Sequence, residues 1–240
     1  MPAIVEADDD GLYVLKFRGA GQGPKSLIAE LVAGEIGRAL GLPVPEIVFV
    51  ELDAALAGTE PDPEIQDLLK ASVGLNLALD YLPGSVTFDP LVERVSPELA
   101  SSVVWFDAYT TNVDRTPRNA NMLMWHKQLW LIDHGASLYF HHTWANYLER
   151  SRAAFAHIKD HVLLPAATLL REVDEPLAAR LTPEVIGRIV SLIPDVWLDP
   201  DSTFKSAAEF RQAYADYLTR RLEAPRLFVQ EAARAGSSLV

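Results

Sequence analysis

Five asparagines occur in the 240 residues, and three of them fall between positions 112 and 121. The stretch reads Asp114, Asn119, Asn121, an apolar run, the turn His126-Lys127-Gln128, a second apolar run and then Asp133-His134-Gly135. Carboxylate and amide oxygens in this order suit Mg²⁺, a hard cation that takes oxygen ligands at about 2.0–2.1 Å. A carboxylate at the head of the loop, Asp114, can orient a hydroxyl and accept its proton. Together these are the parts needed for phosphoryl transfer, in which the protein mainly positions groups and holds charge. Taken alone, Asp-x-x-x-x-Asn equally describes asparagines that cap turns. The Asp133-His134-Gly135 ending, set after two strands, favours the catalytic reading.

Upstream, Lys16 stands inside the apolar run Tyr13-Val14-Leu15-Lys16-Phe17, where a solvated lysine is less expected. A strand lysine facing a cleft can contact phosphates when a glutamate from the following helix holds it, and Glu30 and Glu35 are the candidates. The competing account of Lys16 is an edge-strand charge that discourages aggregation. For Glu30 and Glu35 it is a wetted helix face.

These residues need elements to carry them. Ala3–Ala7 and Leu12–Phe17 alternate as strands around the turn Asp8–Gly11. The glycine-rich turn Gly19–Gly23 leads into a helix over Ser26–Leu40, closed by Gly41 and Pro43. Glu46–Leu52 and Leu75–Tyr81 read as strands, and Pro83-Gly84 is the expected hinge. A second helix is expected from Ser96, the N-cap, to about Thr111. Asn112–Ala120 follows as a polar loop, then strands Met122–Trp125 and Leu129–Ile132. From about Ala145 the chain reads as mostly helical, with one long amphipathic segment from Phe204 to about Ala233. The fold class is α+β.

Bulk properties narrow the function. The sequence is 49% hydrophobic and 22% charged, ordinary for a globular domain and against disorder as the main state. With 33 acidic and 21 basic residues the formal charge is −12, which disfavours binding to nucleic acid or anionic membrane. Cysteine is absent, so there are no disulfides or thiolate metal sites. No apolar run approaches the roughly 20 residues of a membrane span, and residues 1–10 carry no signal-peptide pattern. A cytoplasmic location is the expectation.

In this order and spacing the residues resemble the HipA-like kinases, a branch of the protein-kinase-like superfamily related to phosphatidylinositol kinases. The resemblance spans nearly the whole chain. Its carriers include Tyr13–Phe17, Leu27–Val32, Leu42–Pro45, Asp80–Gly84, Asn112–Asn119, Ile132–Gly135 and Asp160–Pro165. It implies a two-lobed kinase-like fold, with a small β-rich N-lobe over residues 1–84 and a mainly helical C-lobe over 85–240. It implies ATP and Mg²⁺ as cofactors, Lys16 as the phosphate-contacting lysine and Glu30 rather than Glu35 as its partner. It further implies Asp114 as the catalytic aspartate, Asp133 as the main metal ligand, and backbone groups around Asp80, Tyr81 and Leu82 as the adenine contacts. Asn119 has the usual kinase spacing for the metal amide, whereas Asn121 has the usual position directly before the strand; both stay as metal candidates, with a slight lean to Asn121. The acceptor is expected to be a hydroxyl, in the first instance a protein Ser/Thr; nothing in residues 136–160 is specific to a protein, lipid or metabolite.

Two departures stand out. Residues 111–113 are Thr-Asn-Val, so the His-Arg that precedes the catalytic Asp of ordinary protein kinases is missing. No glycine-rich loop precedes Lys16, so the N-lobe's first strand and phosphate-covering loop are expected to be shortened or absent. That leaves a non-catalytic pseudokinase or binding module as the alternative to an active phosphotransferase. Other motifs fail. Gly19–Ser26 places Pro24 where a P-loop needs glycine before its lysine. His141-His142, with His134 nearby, lacks convergent zinc spacing and reads as a surface loop. Trp105, Trp125, Trp130 and Trp144 read as core.

Overall fold

The structure, a computed structural model, describes residues 2–198 and 203–238; Met1, residues 199–202 and residues 239–240 lie outside the described set. The opening alternation forms a hairpin. β1 (Pro2–Glu6) and β2 (Leu12–Lys16) pair antiparallel with Ala3 opposite Leu15. Asp9 fastens its turn by accepting the Gly11 amide at 2.9 Å and the Tyr13 hydroxyl at 2.8 Å. β3 (Ile47–Leu52) and β4 (Gly74–Asp80) complete a four-stranded antiparallel sheet in the order β1-β2-β4-β3. β2 is therefore an interior strand, so Lys16 is not an edge charge.

α1 (Pro24–Ala39) connects β2 to β3, starting at Pro24 because proline's fixed φ suits the first helical position. It runs so close to β3 that a Cβ on Gly34 would lie 2.4 Å from Ile47 Cδ1. The stretch before β4 holds α2 (Ala55–Thr59) and α3 (Pro63–Ala71), the latter capped by the Asp62 carboxylate on the Glu64 and Ile65 amides.

α4 (Pro97–Thr110) begins as its capping residues dictate, with Ser96 Oγ accepting the Leu99 amide at 3.2 Å, and ends where Thr111 turns left-handed at φ 56°. Ten of its 14 residues are buried, so a charged residue on this helix must find a partner inside the protein. A second sheet, in the order β5-β6-β7, joins β6 (Met122–Trp125) and β7 (Gln128–Leu131) to β5 (Val86–Thr87), a short strand not evident in the sequence. His126 and Lys127, both at positive φ, make the two-residue turn between β6 and β7.

The remainder is helical: α5 (Tyr147–Arg150), α6 (Leu170–Arg180), α7 (Pro183–Ser191), α8 (Ala207–Arg221) and α9 (Leu227–Ser237), with 3₁₀ turns at Tyr139–His142, Ala156–Asp160, Leu164–Ala166 and Asp195–Trp197. The architecture is thus α+β, a small antiparallel sheet followed by helices around one large apolar core. Among the described residues no helix is long and apolar enough to cross a membrane.

Three sequence expectations need correction. The segment Phe204–Ala233 is two helices, because Pro225 has no N–H to continue the first. His141 is not on a surface loop: its side chain is fully buried and its Nδ1 lies 3.1 Å from the Tyr214 hydroxyl, while His142 is exposed. Trp105 and Trp144 are core, but Trp125 and Trp130 are only partly buried, and the Trp125 indole donates to the Pro83 carbonyl at 2.9 Å.

Arg221, buried at the end of α8, holds this arrangement together. Its guanidinium donates to the Ala108 and Tyr109 carbonyls, which the end of α4 leaves without helical partners, and to the Ser151 and Ala153 carbonyls, at 2.8–3.0 Å. It also stacks on Phe228 of α9 at 4.9 Å. Arg221→Met keeps the aliphatic stem and strands these acceptors, so urea unfolding should show a loss of more than about 2 kcal/mol. A change near zero contradicts the assignment.

Candidate functional site

Lys16, Glu30 and Asp133 meet although they are far apart in sequence. Lys16 Nζ, projecting from β2, lies 2.7 Å from Asp133 Oδ1 and 3.4 Å from Glu30 Oε2 on α1. Glu30 is 1% exposed, whereas the Asp133 side chain is 48% exposed and open to incoming groups. Glu35 turns away and pairs with Arg38 at 3.3 Å. Behind the triad, His134 Nδ1 is 3.4 Å from Glu30 Oε1. Burial alone would raise the Glu30 pKa, but Lys16 and His134 outweigh it and hold the carboxyl at about 2. For Lys16 burial works against the charge, and Glu30 and Asp133 overcome it, so its pKa rises above the ordinary lysine value.

The loop from Asp114 to Asn121 is pinned from below. Asp107, fully buried on α4, accepts Arg115 Nε at 2.6 Å, Asn112 Nδ2 at 2.9 Å and His161 Nε2 at 2.9 Å. His161 Nδ1 accepts the Leu163 amide at 3.0 Å, which places the ring proton on Nε2, facing Asp107. Burial raises the Asp107 pKa, yet Arg115 and His161 more than reverse this and keep it well below the usual carboxylate range. The other end of Arg115 reaches the carbonyls of Asn121 and, at 3.4 Å, Ile132. One guanidinium therefore ties the exit of the loop to the residue before Asp133. The Ile132 amide adds a 3.0 Å bond to the Asn121 carbonyl, so the β6–β7 hairpin does bring Asn121 beside the Asp133 segment.

Above this base, Asp114 makes three hydrogen bonds, one as donor and two as acceptor. Its amide donates to Asn112 Oδ1 at 3.1 Å, and its Oδ2 accepts Asn119 Nδ2 at 2.7 Å and Asn121 Nδ2 at 3.2 Å. Both asparagines use their nitrogens on Asp114, which leaves their amide oxygens available. Asn119 is exposed in a tight turn with Thr116, whereas Asn121 is partly buried against the hairpin.

Two cavities open on either side of Lys16 and Asp133. One, of about 150 Å³, is a slot with Val14 and Leu79 from the sheet, Leu123 and Ile132 from the hairpin, and Asp80, Tyr81 and Leu82 at its end. The Asp80 and Tyr81 amides are occupied by the Glu46 and Leu12 carbonyls, and the Leu82 amide has no acceptor among the described residues. The other, of about 190 Å³, is lined by Lys16, Glu30, Asp133, Gly135 and the turn that precedes α1. Asp114 lines neither. Among the described residues no group of three or more His, Cys, Asp or Glu is arranged to hold a metal, so a cation here would depend on Asp133 together with amide oxygens.

Asp107 carries no signal in the motifs that mark the site, and Arg115 and His161 stand in them without an assigned role. The available signal was a lone acid, Asp107, inside the otherwise apolar stretch Val103–Tyr109. Glu30 carries a pH signature. Its pKa is depressed in the folded chain, so its stabilising contribution is complete above about pH 4.5 and fades as pH falls towards 2. That amounts to roughly 3 kcal/mol. Glu30→Gln should flatten the loss of stability between pH 5 and pH 3 relative to the unaltered chain; parallel acid limbs contradict this.

Comparison with curated proteins and with solved structures gives no match. The family model for HipA-like kinase matches residues 1–229, nearly the whole sequence. The chain belongs to the HipA-like kinase family.

Proposed function

We propose that the chain is a two-lobed, ATP- and Mg²⁺-dependent phosphotransferase, with residues 1–84 and 85–240 as its lobes and a hydroxyl group, in the first instance that of a protein Ser/Thr, as acceptor. The observation that carries this reading is the meeting of Lys16, Glu30 and Asp133 at the mouth of two cavities, beside a loop that presents Asp114. The apolar slot fits a flat purine, and the unengaged Leu82 amide is the backbone donor left for its edge. Asp80 and Tyr81 then contribute carbonyls and shape rather than amides.

The residues present suit Mg²⁺. Asp133 and the free oxygen of Asn121 would hold it, since hydrogen bonding between Ile132 and Asn121 keeps the two segments adjacent; Asn119, out in its exposed turn, is assigned to orienting Asp114. When bound, the ion neutralises phosphate charge and orients the transferred group. Lys16, held by buried Glu30, offers its ammonium to the nucleotide phosphates. Asp114 uses Oδ2 on the two asparagines, and Oδ1 remains to accept the acceptor's hydroxyl proton as oxygen attacks the γ-phosphorus and ADP departs.

The test is thermal stability with ATP and MgCl₂ against ATP and EDTA. Nucleotide at about 100 times its Kd should add ~2.7 kcal/mol only when metal is present, and Asp133→Ala should abolish the gain. No stabilisation at any ATP concentration refutes the reading. In a phosphorylation assay, Asp114→Ala should reduce transfer by at least about a hundredfold while Mg·ATP binding is little changed. Equal transfer by both proteins removes Asp114 from its role, and binding without transfer in the unaltered chain identifies a nucleotide-binding module instead.

A further inference from the structure

The fifteen residues before Lys16 contain one glycine, Gly11, spent in the β1–β2 hairpin turn. We propose that the turn Gly19–Gly23, which follows Lys16 in the chain instead of preceding it, together with the start of α1, is the polyphosphate cradle; this rests on the nucleotide reading above.

Ala20, Gly21, Gln22 and Ser26 line the same 190 Å³ cavity as Lys16 and Asp133. The turn is shaped by two short bonds, Ala20 amide to Phe17 carbonyl at 3.1 Å and Gly23 amide to Ala20 carbonyl at 3.0 Å. Between them the Gly21 and Gln22 amides have no acceptor among the described residues. Gly21 and Gly23 take φ of 57° and 66°, and a Cβ on Gly21 would meet nothing within 4 Å. α1 opens with Gly23 and receives no side-chain cap, so its first-turn dipole is unopposed. Successive amides in such a turn make an anion-binding concavity.

The charges in this cavity select the form of the anion. Lys16 is balanced against Glu30 and Asp133, leaving one net negative charge, so bare phosphate is repelled. A divalent ion on Asp133 reverses the sign, and a metal-complexed polyphosphate becomes the favoured ligand. Glu30 Oε2 accepts no hydrogen bond and faces Lys16 across 3.4 Å, so Lys16 keeps a partner when a phosphate displaces Asp133 from it.

Gly21→Asp and Gly21→Asn give a test in the full chain that isolates charge. The two side chains share one shape and both tolerate a left-handed backbone, so conformational strain is common to them. Calorimetry should find Mg·ATP bound about tenfold or more weakly by the Asp variant than by the Asn variant, with adenosine bound equally by both. Equal Mg·ATP affinity in the pair overturns the cradle. If the unaltered chain still binds Mg·ATP and Asp133→Ala does not, the nucleotide site itself survives that result. Absence of Mg·ATP binding by the unaltered chain overturns both.

Discussion

Asp107 sits in the middle of the protein with no access to water, where an unpaired carboxylate would cost several kcal/mol. Its partners come from two places: Asn112 and Arg115 from the loop after α4, and His161 from the position directly after the 3₁₀ turn Ala156–Asp160. Because Arg115 also grips the carbonyls of Asn121 and Ile132, the charge on α4 determines where both ends of the β6–β7 hairpin lie. The positions of Asp114 and Asp133 follow from that. A buried pair of this kind contributes little net stability over an apolar replacement, so its value lies in fixing one loop geometry.

The exposed face of the site is built with the opposite economy. Lys16 rests on an interior strand, Glu30 is buried on α1, and only Asp133 is left half open. The lysine thus has one permanent partner and one that can be exchanged. Under the proposed function that asymmetry would suit an anionic ligand at Lys16, because movement of Asp133 towards a cation would not leave a buried charge unpaired.

Most of what could be read in the sequence was local. The Asp9 turn and the Ser96 cap are set by residues within a few positions of each other and formed where expected, and the turn read over His126-Lys127-Gln128 tightens to His126-Lys127, with Gln128 opening β7. Lys16 was legible because a charge in an apolar run demands a partner, Asp133 because it ends a strand pair, and Glu30 was separated from Glu35 only by the family resemblance. Asp107 makes the same demand, but the identity of its partners depends on how α4 meets the segment around His161, which no local pattern records. His141 was misread for a related reason: its burial against Tyr214 is created by α8, more than seventy residues away. The break at Pro225 was hidden because the apolar spacing continues through Leu222 and Phe228 on both sides of it.

The proposed phosphoryl transfer depends on a metal–nucleotide complex held between Asp133 and Asn121. Its most direct measurement is Mn²⁺ uptake, followed by loss of the free-ion paramagnetic resonance signal, with and without ATP, in the unaltered chain and in Asn121→Ala and Asn119→Ala. The expected result is saturable uptake that requires ATP, is weakened by about tenfold or more in Asn121→Ala and is little affected in Asn119→Ala. Uptake that ignores ATP, or that survives Asn121→Ala undiminished, contradicts the account.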